Sequence, residues 1–407
     1  MAAAPQIVVV GAGAAGLVAA AFASEPGRPA VLIERTADGG RKILISGGGR
    51  CNVLPAALEP ERFVSSSPSH LVRRMLRAWP LEHQKTFFED ELGIPLKFEA
   101  DDRKFFPASD RARDVRDGLV AFALRRGVEI RFGTTLDGID SAGDGRWRLT
   151  TSRGSIDASA VVLATGGLSV PATGSDGTGL RIAEMLGHTL HPTYAALTPL
   201  LANPAVHAGL SGVSLPVRIR LKRGGDTREV VGSFLFTHRG YSGPAVLDIS
   251  GFASTGAQLR VSWGNVAQSA WETVLSGGTG LVLNLLASKI PQRLSERLMF
   301  EAAVPLDRRS HDLRRSERIG LIELLTAYPL KVSGNEGYKK AEVTGGGVAL
   351  DEVDARTLES KRATGIFMCG EMLDAYGPIG GHNFAWAWAT GRAAGLGALA
   401  KRVESGA

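Results

Sequence analysis

The stretch IVVVGAGAAGLVAAAFA, close to the start of the 407-residue chain, constrains the fold more than any other segment. Gln6 to Val10 is a short apolar, β-branched run and reads as a buried strand. Gly11 to Gly16 turn the chain, Leu17 to Ser24 is Ala-rich and helical, and Ala30 to Ile33 reads as the next parallel strand, closed by Glu34. Together they make a βαβ unit of about 30 residues. In the loop Gly11-Ala12-Gly13-Ala14-Ala15-Gly16, Gly11 permits the tight turn and Gly13 lets backbone amides reach a pyrophosphate. Gly16 lets the helix pack on the strand while its N-terminus faces the negative charge. The GxGxxG spacing alone is common. A strand before it, a helix after it and an acid after the second strand make it specific for a dinucleotide. Glu34 is placed to accept from ribose hydroxyls and disfavours a 2′-phosphate, which fits FAD or NAD better than NADP. A glycine turn with no ligand is the plain alternative.

Four further segments carry loops of the same kind. RKILISGGGRCN, Arg41 to Asn52, sets three glycines between basic residues and reads as an anion-friendly loop that includes Lys42, Ser46, Gly48, Gly49, Arg50 and Cys51. VVLATGG is a strand that ends on Thr165 and Gly166. GIFMCGEMLD is a strand followed by Gly370, Glu371 and Asp374, where a carboxylate can bind the ribityl chain of a flavin. PIGGHN, with Gly380, Gly381, His382 and Asn383, opens the last helix, whose N-terminus favours negative charge on a reduced isoalloxazine. This terminal stretch is similar to the C-terminal flavin-closing segment of FAD enzymes. The expectation is one FAD site built from the two ends of the chain.

Between the ends the texture changes. Residues 194–265 are short alternating runs split by Gly and Pro and read as a small antiparallel β-domain. Residues 266–330 are mostly helical, and the β/α texture returns from about Lys331. The expected domains are therefore 1–193 with 331–407, then 194–265, then 266–330. The net charge of +6 makes an anionic partner plausible, whether cofactor, acidic substrate or nucleic acid. Its one cluster is Arg308 to Arg318, which reads first as a solvated helix face and second as an RNA-binding patch. The two cysteines, Cys51 and Cys369, form no CxxC, and the dispersed histidines form no metal constellation. No run reaches the roughly 18–20 apolar residues of a membrane span, and no basic segment precedes an apolar one at the start, so a cytoplasmic protein is expected.

GRKILISGGGRCNV, RKFFPASDRARDV, TGGLSVPATGSDGTG, LFTHRGYSGPAVLDIS and EVTGGGVALDEVDARTLESK, leading into CGEMLDAYGPIGGHNFAWAWATG, together resemble the BaiN/YhiN-like family of bacterial NAD(P)/FAD-dependent oxidoreductases over nearly the whole chain. The resemblance implies an α/β fold: a Rossmann-like, glutathione-reductase-like FAD domain interrupted by a small antiparallel β-barrel domain and a helical domain. It implies FAD contacts at Gly11, Gly13, Gly16, Glu34, Arg35, Lys42, Ser46, Gly48, Arg50, Asn52, Gly370, Glu371, Asp374 and Gly381, with Thr135 on the adenine side through its backbone. The family commonly has Tyr where this chain has His382, and some members reduce steroid-like compounds.

Flavin carries hydride chemistry and the protein supplies position and electrostatics. With a single dinucleotide fingerprint, NADH or NADPH is expected to dock transiently rather than in a second Rossmann domain. The acid–base candidates are His238 and Tyr241 in FTHRGYSGP, and His382. Cys51 reads either as a thiol near the flavin or, by preference, as a buried inert one. The leading expectation is an FAD-dependent oxidoreductase acting on a small organic molecule such as an enone. A flavin-dependent RNA-modifying protein and a flavin-binding sensor without turnover are the alternatives. The oligomeric state is left open.

Overall fold

The computed structural model describes residues 6–100, 103–143, 145–223, 226–253 and 257–405. Residues 1–5, on which part of the expectation of no basic-then-apolar start rests, lie outside them. The chain forms two compact units, Met1–Tyr194 with Val343–Ala407, and Ala195–Glu342.

The first unit is built on a five-stranded parallel sheet. Ile7–Val10 is its centre, with Ala160–Leu163 and then Ile366–Met368 on one side, and Ala30–Glu34 and then Glu129–Phe132 on the other. The inner strands are unbroken apolar runs with almost no exposed surface, as strands covered on both faces must be. Each fully buried Val, Leu or Ile contributes about 1.5–3 kcal/mol. Register sets Val10 beside Leu163 and Ile33, and Leu163 beside Met368. Gly11, Glu34, Ala164 and Cys369 therefore leave the sheet along one edge, at the carboxyl ends of the strands, where open α/β sheets bind ligands.

The helix Ala14–Ala23 and the final helix His382–Ser405 lie against each other. A Cβ on Gly391 would stand 2.4 Å from the Ala15 carbonyl oxygen, and one on Gly395 2.3 Å from that of Ala19. Two glycines four residues apart make a notch in the last helix that admits the Ala-rich first helix backbone to backbone. This joins the two ends of the chain.

The second unit carries a seven-stranded antiparallel sheet. Its order is Tyr328–Leu330, Gln258–Trp263, Ser214–Arg223, Asp226–Phe236, Gly240–Ser242, Leu200–Leu201 and Gly334–Asn335. In SLPVRIRLKR the alternation buries Leu215, Val217, Ile219 and Leu221. Four helices, Gln268–Gly277, Val282–Ala287, Gln292–Glu301 and Arg315–Thr326, send Trp271, Val282, Leu298 and Leu321 into the same core. Within the stretch that reads as strands, Pro244–Ser250 is instead a helix. Its proline sits in the first turn, where the missing N–H costs no bond. The second unit runs on through Glu342 before the chain re-enters the first.

Candidate functional site

The three glycines of the first loop stand in different environments. At Gly11 the backbone is left-handed, with φ +101°, and a Cβ would lie 2.6 Å from the Ala164 carbonyl oxygen. At Gly16 a Cβ would lie 1.7 Å from the Gly11 carbonyl oxygen. At Gly13 a Cβ would meet nothing within 4 Å, and this residue caps the ten-residue helix Ala14–Ala23 with no side chain over the amides. Two glycines thus serve packing, and the third leaves the positive helix end open to an anion. Glu34 is held firmly at the loop's side. Its Oε2 accepts from the Ala12 amide at 2.7 Å, and its Oε1 accepts from the Thr36 amide and hydroxyl, each at 2.7 Å. A carboxylate with about four lone-pair sites can still accept from a ribose.

The second glycine loop is a run of left-handed backbone. Gly47, Gly48 and Gly49 have φ of 55°, 68° and 87°, and Cys51 follows at 61°. Gly48 has open space where a side chain would be. Ser46 turns its hydroxyl back onto the Ile43 carbonyl at 2.8 Å. The Asn52 side chain lies under Gly47, with its Oδ1 3.5 Å from where a Cβ would sit. Arg50 is not free for an anion here: it pairs with Glu99 and Asp110 and its guanidinium lies 3.9 Å over the Phe106 ring, and the two carboxylates raise its pKa. Arg35 likewise pairs with Asp176. Cys51 is fully buried, and burial pushes its thiol up to about 12.

Lys42 joins this loop to the C-terminal motif. Its Nζ donates to Glu371 Oε2 at 2.6 Å and to Ser169 Oγ at 2.7 Å. Glu371 Oε1 accepts from Ser169 Oγ at 2.5 Å, from the Thr344 amide at 3.0 Å and from the Thr344 hydroxyl at 2.9 Å. Burial opposes the charge on Glu371, but Lys42 and these donors outweigh it and hold the carboxyl below its ordinary range. Thr344 Oγ1 in turn accepts from the Leu168 and Ser169 amides. Gly370, at φ +75°, approaches the first helix so closely that a Cβ would lie 2.9 Å from that of Ala15. Its amide donates to Thr390 Oγ1 at 3.0 Å, and its carbonyl accepts from Trp386 Nε1 at 3.0 Å, both on the final helix.

Other expected contacts have structural partners. Asp374 Oδ2 accepts from the Ser66 amide at 2.8 Å, the Ser67 amide at 3.1 Å and the Ser65 hydroxyl at 3.2 Å, and burial raises its pKa. Thr135 exchanges backbone bonds with Ser152: its amide donates to Ser152 Oγ and its carbonyl accepts from the Ser152 amide. Thr165 packs its hydroxyl where a side chain on Gly179 would be, and Gly166, at φ +72°, turns beside Ser175. Gly380 and Gly381 have φ of 97° and 95°, and Asn383 clamps Gly377 through both its amide atoms.

His382 is 95% buried at the start of the final helix, the fraction that makes its bonding matter. Its Nδ1 lies 3.2 Å from the Ile379 carbonyl, and its Nε2 is buried with no hydrogen-bond partner. Burial, assisted by the charge of Arg62, pushes its pKa down to about 4. A carbonyl can only accept, so Nδ1 carries the proton and Nε2 presents a lone pair. The other two acid–base candidates lie in the second unit. His238 is exposed in a turn. Tyr241 is fully buried, its hydroxyl 3.0 Å from His207 Nδ1, and burial together with the charge of Glu301 pushes it up to about 12.

Sequence reasoning missed Ser169 and Thr344. Both lie in motifs visible as glycine-rich turns, TGGLS and VTGGG, where a hydroxyl beside a strand end was the available signal. The path of the loops and strands through the fold brings them to Glu371. A helix mouth left bare at Gly13, open space at Gly48 and a lysine–carboxylate pair at the same sheet edge fit an FAD, with its diphosphate at the helix mouth.

Over residues 5–397 the chain matches the HI0933-like protein Rossmann domain family. It is 34% identical over 398 residues to the ribosomal RNA dihydrouridine synthase of Escherichia coli (strain K12), covering 94% of this chain and 95% of that one. It is 29% identical over 405 residues to the 3-dehydro-bile acid delta(4,6)-reductase of Clostridium scindens, covering 96% and 98%. Among solved structures, the 3-ketosteroid-delta4-(5alpha)-dehydrogenase of Rhodococcus jostii RHA1 superposes with a TM-score of 0.52 at 15% identity, covering 97% of both chains, a likeness of fold alone.

Proposed function

The chain belongs to the HI0933-like Rossmann-domain family, a flavoprotein family of the oxidoreductase class, and on that premise we propose that it reduces a carbon–carbon double bond conjugated to a carbonyl, with uracil in ribosomal RNA as the substrate. The observation that carries the redox class is the sheet edge where the open helix mouth at Gly13 and the Lys42–Glu371 pair stand together. The two relatives above point to one chemistry. Dihydrouridine is uridine saturated at C5–C6, next to the C4 carbonyl, and a Δ4,6 bile acid with a 3-oxo group is a conjugated dienone. The match to the ribosomal RNA enzyme and the net charge of +6 favour the polyanionic substrate.

Bound FAD would supply the two-electron relay between a nicotinamide donor and the double bond. The net change is one hydride and one proton added across the double bond, with NADH or NADPH oxidised to NAD⁺ or NADP⁺. Gly13 and its helix would hold the diphosphate, Glu34 the ribose, and Lys42 with Glu371 the flank of the ribityl chain. His382, neutral and with its lone pair on Nε2, can accept a proton or a hydrogen bond at that atom but is not a standing acid near pH 7. The second reading, a free steroid-like enone, rests on the bile-acid relative.

The test is an anaerobic titration of the FAD-loaded protein with NADH and then NADPH, followed by addition of an unmodified ribosomal RNA transcript or of a 3-oxo-Δ4,6 bile acid. Dihydrouridine in the digested RNA is the expected outcome. Flavin reoxidation by the bile acid alone would establish the second reading, and a protein that takes up no FAD would sink both.

A further inference from the structure

Val170 holds a strained backbone directly after Ser169, a member of the Lys42–Glu371 cluster. Its φ is +45° and its ψ +65°, in the left-handed region. Among the described residues, eight non-glycines have a positive φ, and Val170 alone of them is branched at Cβ. Two steric rules oppose this conformation. Branching at Cβ makes the left-handed region a genuine outlier, and the following Pro171 pushes its predecessor toward extended backbone. The same loop uses glycine at its other left-handed turns, Gly166, Gly174 and Gly177. A glycine at position 170 would be at ease where a valine is not.

The surroundings fix this strain from both sides. Ser169 is fully buried, donates its amide to Thr344 Oγ1 at 3.1 Å and its hydroxyl to Glu371 Oε1 at 2.5 Å, and accepts from Lys42 Nζ at 2.7 Å. After it, the Val170 carbonyl accepts from the Thr173 amide at 2.9 Å and the Thr173 hydroxyl at 2.8 Å, across a turn opened by Pro171, whose ring fixes φ. Farther on, the Gly177 amide donates to the Gly167 carbonyl at 3.2 Å and closes the loop. A Cβ on Gly174 would lie 3.2 Å from Thr36 Cγ2, two residues past Glu34. The loop thus spans from the Glu371 cluster to the neighbours of Glu34, the two places assigned above to the ribityl chain and the ribose, and Val170 lies at the Glu371 end. Its side chain is half-buried and braces no core: Leu168 packs against the apolar core of the first unit and Val170 does not. Neither packing nor backbone preference accounts for a valine there.

We infer that Val170 is a ligand-contact residue, its isopropyl group an apolar wall for the isoalloxazine ring of FAD, kept in place at the cost of a strained backbone. This rests on the FAD site of the reading above and is independent of its RNA substrate. Ligand pockets are lined mostly by apolar groups, with a few polar ones that fix orientation. Lys42 and Glu371 are the polar anchors at this end of the site, and Val170 supplies apolar surface one residue from the serine that both of them hold. Strained backbone clusters at ligand sites because a side chain needed there outweighs the stability it forfeits.

The experiment titrates the full chain, stripped of flavin, with FAD and separately with ADP, which carries the adenosine and the diphosphate but neither the ribityl chain nor the ring. Calorimetry reads both affinities, and a thermal melt reads the fold. V170G is expected to melt above V170A, the reverse of the usual order of glycine and alanine, because only glycine removes the conflict at Cβ. Both variants are expected to bind FAD about tenfold more weakly, as the loss of most of a valine's burial implies, and to bind ADP within about twofold of the parent. V170I keeps a branched apolar side chain and should hold FAD within about twofold of the parent. If V170G and V170A bind FAD as the parent does, the assignment is overturned and the FAD site stands. A loss confined to V170G would also overturn it, since a freer loop and not a missing wall would be the cause. So would an ADP affinity that falls together with that for FAD, which would mean that the whole loop had moved. A V170G midpoint below that of V170A would deny the strain from which the assignment starts. A parent that binds neither FAD nor ADP would remove the FAD site and this wall with it.

Discussion

Each unit holds a buried polar cluster around one carboxylate, and the two clusters differ in what lies next to them. Around Glu371 the partners are Lys42, Ser169 and Thr344, from separate segments of the chain, gathered at the carboxyl edge of the parallel sheet. Beside it are glycines whose missing side chains leave open space at Gly13 and Gly48. Around Glu301 the partners are Arg297 at 2.5 Å and His207, whose two ring nitrogens each lie 3.0 Å from a tyrosine hydroxyl, Tyr241 and Tyr328. Phe236 packs edge-on to the His207 ring and stacks on Trp263, so aromatic walls close this cluster. The nearby Gly240 serves packing: a Cβ there would lie 2.1 Å from the Leu200 carbonyl oxygen. A satisfied network in low dielectric rigidifies its surroundings in either case. Open space beside the first suits it to hold a ligand, and aromatic walls around the second suit it to brace a core.

The sharpest way to break this contrast is Lys42→Met. It leaves the half-buried Glu371 without its counter-charge, which costs 3–5 kcal/mol in a fully buried pair and roughly 2–3 here because both side chains keep some contact with water. Loss of retained flavin on desalting is expected together with a lower denaturation midpoint. The double change Lys42→Met with Glu371→Gln should recover most of the stability and none of the flavin. If the single variant keeps flavin as tightly as the parent, the Glu371 cluster is a brace like the other.

Glu301→Gln probes the second cluster and should leave the flavin spectrum unaltered. Burial works against the charge on Glu301, yet His207 and Arg297 hold its carboxyl down at about 2. A carboxylate with a depressed folded pKa stabilises above its unfolded value and loses that contribution as pH falls through the folded one. The parent should therefore exceed the variant by roughly 2 kcal/mol at neutral pH, the difference shrinking between about 4.5 and 2. Urea melts across that range measure it; a difference that does not change with pH would mean that the charge is not what matters. His382→Gln sharpens the first cluster's side of the comparison with the opposite residue type. The folded imidazole, at about 4, refuses a proton that the unfolded chain binds below about 6.5. The parent should lose stability as pH falls from about 6.5 to 4, by between 1 and 2 kcal/mol at pH 5, and the variant should lack that limb. Parallel acid limbs in the two proteins would show that the ring is solvated.

The open site was the more legible of the two, for reasons that particular residues show. Gly11, Gly13 and Gly16 declare themselves because their spacing is local and each has a backbone role. Glu371 and His382 are legible because they sit within a few residues of glycine turns. The partners of Glu371 are another matter: Ser169 and Thr344 are far apart in sequence, and only the strand order and the path of the loops set them on one carboxylate. Arg50 reads as an anion contact from its flanking glycines and Arg35 as an FAD contact from the family resemblance, but their acids, Asp110 and Asp176, stand 60 and 141 residues away. Tyr241 shows the same limit from the other side, since FTHRGYSGP reads alike on a surface or in a core, and burial is decided by strands elsewhere in the sheet. The Gly391 and Gly395 notch was present as two glycines four apart in an Ala-rich helix, a pattern whose meaning depends on the Ala15 and Ala19 backbone it faces.

The smallest effect belongs to Cys51, which lies between the two descriptions, next to the open glycine loop and yet sealed in the core. Proximity to a flavin loop would suit a redox thiol, but reactivity belongs to the thiolate. With burial pushing the group up to about 12, the thiol is protonated throughout the neutral range. Iodoacetamide at about pH 8 should leave the native flavoprotein unlabelled at Cys51 and label it after unfolding. Cys51→Ala should cost about 1 kcal/mol through the lost sulfur packing and change the rate of flavin bleaching by NADH or NADPH less than twofold. Rapid labelling of the native protein, or a slowed bleaching in the variant, would move Cys51 from the core into the chemistry and extend the open site past the glycines to the first buried residue behind them.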